Sequence, residues 1–142
     1  MKRDYPDRPI VGVGAVIIDR GRALVVRRAT EPLKGEWSIP GGALELGETL
    51  RAGAAREALE ETGLAVEVGE VLEVFDRIIP DPDGRISYHY VLVDFLCRKL
   101  SGEAHPGGDV SEVRWITLPE LETFVIADSA ANVIRKGFQR SP

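Results

Sequence analysis

A single predicted helix constrains this chain more than any other feature, because it carries three glutamates at a fixed spacing. Thr49 is a suitable N-cap, and Gly63 stands where a left-handed residue ends a helix. Between them Glu57, Glu60 and Glu61 have the spacing i, i+3, i+4, which places their side chains together on one face. Neighbouring carboxylates repel one another, and a divalent cation relieves that repulsion. The oxygen ligands suit Mg²⁺, Mn²⁺ or Ca²⁺.

A plain acidic surface is the alternative interpretation, because glutamate is common on exposed helix faces. The flanking residues favour the metal site. Pro40-Gly41-Gly42 precedes the helix, and glycine lets a backbone approach a ligand closely. We predict that the opposite face packs against a sheet, with Leu59 as its bulky anchor. That face holds Ala52, Ala55, Ala58, Leu59 and Thr62.

The whole stretch resembles the signature of the Nudix hydrolase family. Its fixed positions here are Gly42, Glu48, Arg56-Glu57, Glu60-Glu61 and Gly63-Leu64. The resemblance implies an α/β/α sandwich with a mixed central sheet, in which the loop and helix of the signature hold the active site. It implies hydrolysis of a nucleoside diphosphate linked to another moiety, with Mg²⁺ or Mn²⁺ as the cofactor.

The resemblance also assigns roles to individual residues. Glu57, Glu60 and Glu61 are the inferred metal ligands, joined by a backbone carbonyl near Gly42. A carboxylate must also accept a proton from the attacking water. Glu60 is the first candidate for that base, but the family also places the base on a separate loop.

Four further residues complete the predicted catalytic group. Asp109 and Glu112, in a late loop, are the candidate bases outside the helix, and Asp109 is also a candidate for substrate binding. Glu48 and Arg56 are predicted to form an ion pair that locks the loop against the helix and orients the metal ligands.

The predicted substrate is ADP-ribose or a related nucleotide sugar. ADP-ribose pyrophosphatases of the family have a proline about sixteen residues beyond the signature, where Pro80 stands here. Arg28 and Arg77 are the predicted contacts to the diphosphate. Two alternatives stay open: a nucleoside triphosphate pyrophosphohydrolase that removes damaged nucleotides, and a non-catalytic domain that senses a nucleotide metabolite. A complete set of signature carboxylates disfavours the second alternative.

The rest of the chain predicts one domain over residues 1–142, made mostly of strands with a central and a C-terminal helix. Residues 43–47 are predicted as the loop before the central helix, and the last helix as residues 128 to about 135. Two separate strand-like runs are predicted at residues 65–68 and 71–79. The net charge of −5 disfavours a broad nucleic-acid surface, and the partner expected is a small nucleotide. An apolar signal core and a membrane-spanning run are both missing, so we expect a cytoplasmic protein that does not bind membranes. Family members often dimerise, so a homodimer is expected.

Overall fold

The computed structural model describes residues 2–31 and 33–141. The described residues form seven strands and three helices. The strands are β1 (Ile10–Asp19), β2 (Arg22–Arg28), β3 (Trp37–Ser38), β4 (Gly41–Ala43), β5 (Ala65–Pro80), β6 (Ile86–Ser101) and β7 (Val110–Thr117), and the helices are α1 (Leu50–Thr62), α2 (Leu118–Leu121) and α3 (Asp128–Arg140). Along the chain they follow in the order β1–β4, α1, β5–β7, α2 and α3.

The strands form one mixed sheet with β1 near its middle. The main order is β3-β2-β1-β6-β5, while β4 pairs with β1 and β7 pairs with β2. Only the β1–β6 pair is parallel among the pairings within the described residues. A parallel neighbour requires a crossover connection. The chain makes that crossover through β2 to β5, which carries α1 across the sheet.

The core divides into two clusters on opposite faces of the sheet, because successive side chains of a strand alternate. Val13 and Ala15 of β1 pack with Ala58 of α1 in one cluster. Val16 packs with Ile134 of α3 in the other. Helices therefore cover both faces, and the predicted α/β/α sandwich with a mixed sheet is confirmed.

Local signals set both ends of α1 as predicted. The Thr49 hydroxyl accepts a hydrogen bond from the backbone N–H of Ala52, and Gly63 has a φ of 75°. The predicted packing face is wrong in part, because the side chain of Leu59 is largely exposed. The helix instead buries Gly53, Ala54, Glu57, Ala58 and Thr62. Small residues let α1 lie close to β1, so no bulky anchor is needed.

Three other elements differ from the prediction. Ala43, predicted to begin a loop, is instead the last residue of strand β4, which β1 holds. Residues 65–80 form one continuous strand with irregular register rather than two runs. The last helix extends to Arg140 instead of ending near Arg135. No helix of the described residues is long and apolar enough to cross a membrane.

Candidate functional site

The β4 strand brings the backbone against the acidic face of α1. The backbone N–H of Gly41 donates to Oε1 of Glu61 over 2.9 Å, which fixes one carboxylate at the start of the loop. A Cβ at Gly42 would lie 2.6–2.8 Å from the carboxyl atoms of Glu57. Glycine is therefore required at position 42 for Glu57 to reach the strand.

Arg56 joins the loop to the helix through several hydrogen bonds. Its Nε and Nη2 atoms donate to the two carboxyl oxygens of Glu48 over 2.7 and 3.0 Å, so the predicted ion pair is present in the two-point geometry that arginine favours. Nη2 also donates to the backbone oxygen of Ala43. A Cβ at Gly53 would lie 3.0 Å from Oε1 of Glu48, so the small residue makes room for the pair.

The same guanidinium lies against two of the three predicted ligands. Nη1 of Arg56 donates to Glu57 over 2.9 Å and to Glu60 over 3.2 Å. Within residues 2–31 and 33–141, no three acidic, histidine or cysteine side chains converge as a ready-made cation site. The donor types, carboxylates on α1 and peptide carbonyls of the neighbouring β4, still suit a hard cation. Binding would require the glutamates to turn away from Arg56.

The raised pKa values of the buried glutamates favour binding of a cation by these side chains. Burial, reinforced by the nearby charges of Glu57 and Asp109 and opposed by the Gly41 N–H and Arg28, raises the pKa of Glu61 to about 7. Burial also raises the pKa of Glu57, against the effect of Arg56. By contrast, Arg56 keeps the pKa of Glu48 below its ordinary value. Two of the carboxylates thus gain from a positive ligand.

A cavity of about 640 Å³ opens beside these groups. Of the predicted site residues, Gly42, Glu61, Arg28, Arg77 and Asp109 line it. This places both predicted arginine contacts and one predicted loop carboxylate around a single space. Its volume lies within the range of small-molecule sites.

The remaining predicted residues lie outside the cavity wall. Glu57, Glu60, Glu48 and Arg56 form the network on the α1 side described above. Glu112 lies on β7, where it makes ion pairs with arginines of β2 and β7. The structure therefore brings Asp109, and not Glu112, close to the carboxylates.

Alternate residues of β5 and β6 form one wall of the cavity. Tyr88 and Tyr90 of β6 are stacked, with ring centroids 6.4 Å apart and an angle of 10° between the planes. Trp37 also lines the space and packs edge-on against Phe124 at 5.2 Å. Flat aromatic side chains of this kind suit a nucleobase.

The sequence interpretation missed Asp94, which is the third buried polar residue of the described chain besides Glu57 and Thr62. It lines the cavity from β6 and is 5% exposed. Its signal in the sequence is a lone carboxylate in the otherwise apolar run Val91-Leu92-Val93-Asp94-Phe95-Leu96.

Comparisons with known proteins agree with the fold and the motif. The model of the NUDIX domain family matches residues 8–137. An ADP-ribose pyrophosphatase of Methanocaldococcus jannaschii is 34% identical over 113 residues, which cover 80% of this chain and 64% of that protein. A MutT-like protein of Streptomyces ambofaciens is 36% identical over 108 residues, which cover 76% of this chain and 63% of that protein. The chain thus spans less than two thirds of the length of both curated relatives.

A solved structure shows the same architecture. The MutT NUDIX hydrolase of Burkholderia pseudomallei superposes with a TM-score of 0.79 at 29% identity. The match covers 92% of this chain and 98% of that one.

Proposed function

This chain belongs to the NUDIX domain family, and on that premise we propose that it is a pyrophosphohydrolase acting on a small nucleoside diphosphate derivative. The proposed substrate is ADP-ribose or a related nucleotide sugar. Water attacks one phosphorus atom of the diphosphate, and the P–O–P bond breaks. ADP-ribose would yield AMP and ribose 5-phosphate.

One observation carries this proposal: Glu61 of the acidic α1 face and two arginines line the same aromatic-lined cavity. Glu61 is on the cavity wall with Arg28 and Arg77. A diphosphate between two sugars needs positive contacts beside a metal site. The name of the relative from Methanocaldococcus jannaschii supports ADP-ribose, and so does Pro80 at the expected spacing.

Mg²⁺ or Mn²⁺ is the proposed cofactor, with Glu57, Glu60, Glu61 and the backbone carbonyl at Gly42 as its ligands. A bound divalent ion would neutralise charge on the diphosphate and lower the pKa of water. Binding would relieve the repulsion between the carboxylates and would replace the contacts that Glu57 and Glu60 now make with Arg56.

The other side chains of the network have positioning and proton-transfer roles in this proposal. Arg56 and Glu48 hold the loop against α1, so that the ligands keep their orientation. Glu60, whose side chain is 54% exposed, can reach a water and accept its proton. Asp109 is the alternative base, because it lines the cavity near Glu61.

Turnover with and without metal tests the assignment of the helix. Hydrolysis should require Mg²⁺ or Mn²⁺ and stop with EDTA. Glu60→Gln keeps the size of the side chain but removes its charge, and should reduce kcat on the order of 10²-fold, the scale for losing a general base. Glu67→Gln is the matched control, since that exposed residue pairs with Arg98 on the other part of the sheet. Near-native turnover in both Glu57→Gln and Glu60→Gln would exclude this site.

A substrate panel under one metal tests the specificity. The measurement is kcat/KM for ADP-ribose against other nucleotide sugars, dGTP and 8-oxo-dGTP. We expect the highest value for ADP-ribose or a close relative. A preference of more than tenfold for a triphosphate, about 1.4 kcal/mol in the transition state, would replace the proposed substrate and leave the hydrolytic site in place.

A further inference from the structure

Asp94 is a buried carboxylate that the proposed hydrolysis does not use. It lies on the same face of β6 as Tyr88, Tyr90 and Leu92, because alternate residues of a strand share a face, and all four line the cavity. In the sheet it is paired with Gly14 of β1. A Cβ at Gly14 would overlap Oδ1 of Asp94, so glycine at that position provides the space for the carboxyl group.

The side chain of Asp94 makes no hydrogen bond or ion pair with the other described residues. No fully buried side-chain oxygen among the described residues lacks a partner, so solvent reaches the Asp94 carboxyl group from the cavity. Its neighbour across the sheet on β5 is Glu73, another carboxylate, which itself pairs with Lys136 of α3. Burial, reinforced by Glu73, raises the pKa of Asp94 to about 6. Buried carboxyl groups are normally paired, and an unpaired one facing a cavity is a candidate for ligand binding.

The surroundings of Asp94 fit a nucleobase better than a phosphate or a sugar. A carboxylate repels phosphate, and the proposed diphosphate contacts belong to Arg28 and Arg77. Stacked Tyr88 and Tyr90 offer flat apolar surfaces in the same cavity. Asp94 is 5% exposed, whereas the side chain of Glu60 in the catalytic network is 54% exposed.

The N-terminus of α3 forms another part of the cavity wall. Ala127, Ser129 and Ala130 line it. The N-cap, Ala127, has no side-chain hydrogen bond to the first turn, so the backbone N–H groups there are not capped by a side chain. The cavity thus has a carboxyl acceptor on one wall and the uncapped first turn of α3 on another. A purine edge carries donors and acceptors side by side.

We propose that Asp94 is a specificity-determining residue that accepts a hydrogen bond from an exocyclic amino group of a purine base. The inference rests on the proposed function in taking the cavity as the nucleotide site. A base with an oxo group in place of the amino group would place an acceptor oxygen against the Asp94 carboxylate. Neither oxygen would then receive a hydrogen bond. Adenine offers a 6-amino group, and guanine offers a 2-amino group beside a ring N–H. Hypoxanthine has neither amino group.

Direct binding of nucleoside monophosphates tests this without any turnover. The dissociation constants of AMP, GMP and IMP are measured by calorimetry with the wild-type chain. We expect AMP or GMP to bind about tenfold or more tightly than IMP. The tighter of the two identifies which amino group is recognised. Equal affinity for all three, or no binding of any, would overturn the proposal.

Asp94→Asn then tests the residue itself. The amide keeps the shape of the carboxyl group but can also donate to an oxo group, so the preference over IMP should fall about tenfold. The matched control is Asp76→Asn, an exposed residue of β5 outside the cavity wall, which should keep the wild-type ratio. An unchanged ratio in Asp94→Asn would refute the inference.

Failure of the two proposals can be distinguished. A chain that prefers AMP or GMP over IMP but hydrolyses no nucleotide sugar or triphosphate would support the role of Asp94 and contradict the proposed activity. A chain that hydrolyses ADP-ribose but binds the three monophosphates equally would support the proposed activity and contradict the role of Asp94.

Discussion

Neutralising Asp94 should stabilise the protein, and the gain should depend on pH. Burial and Glu73 raise the pKa of Asp94 to about 6, whereas an unfolded aspartate has a pKa of about 3.9. The folded state therefore holds this proton more tightly than the unfolded state does. Stability contributed by the protonated form is present at low pH and is lost as pH rises through the two values.

The magnitude follows from the difference between the two pKa values. A shift of this size corresponds to about 3 kcal/mol of unfolding free energy. The wild-type protein has lost all of this contribution once the pH is above the folded-state pKa of Asp94. Roughly half of the loss falls between about pH 5 and pH 8. Asp94→Asn cannot ionise, so its stability relative to the wild type should increase by about 1.5 kcal/mol across that interval.

Urea unfolding at the two pH values measures this difference. EDTA in every sample keeps divalent ions from the other carboxylates. Comparison with the wild type cancels the titration of Glu57 and Glu61, which the variant retains. The exposed control Asp76→Asn should change the unfolding free energy by no more than about 0.5 kcal/mol at either pH. If Asp94→Asn is less stable than the wild type at pH 8, or its relative stability does not change with pH, the reasoning about the buried charge is wrong.

Two further predictions concern the catalytic network. Arg56→Ala and Glu48→Ala should each lower kcat, and the double variant should lose little more than either single variant because the two side chains act as one ion pair; additive losses in a double-mutant cycle of kcat would show that they act separately. Asp109→Asn should lower kcat without lowering the thermal midpoint, whereas Glu112→Gln, whose residue is paired with arginines on the sheet, should leave kcat unchanged; an intact kcat in Asp109→Asn removes this residue as the base.

Local signals made α1 predictable. Thr49 and Gly63 act on neighbouring backbone groups, so their effect can be derived from the sequence alone. The spacing of Glu57, Glu60 and Glu61 likewise determines a shared helix face. The burial of that helix was not predictable in the same way. Small residues allow several packing directions, and contact with β1 rather than bulk placed Gly53 inside and Leu59 outside.

Strand β4 could not be predicted from the periodicity of polar and apolar residues. Gly41-Gly42-Ala43 has no alternation of polar and apolar side chains, and it becomes a strand because β1 supplies its hydrogen-bond partners. The same pairing positions the backbone N–H that binds Glu61. A sequence-based prediction could identify the glycines but not the strand that holds them.

The sequence by itself determined the carboxylate-bearing helix, because its caps and glutamate spacing act within one segment. The resemblance of that segment to the Nudix signature added the Arg56–Glu48 pair and the class of fold. The tertiary structure decided what faces the cavity. Arg28, Arg77 and Asp94 are far apart in the chain and lie on β2, β5 and β6, and only the register of these strands brings them around one space. Side-chain alternation gives each residue a face, but the pairing of strands decides which faces meet.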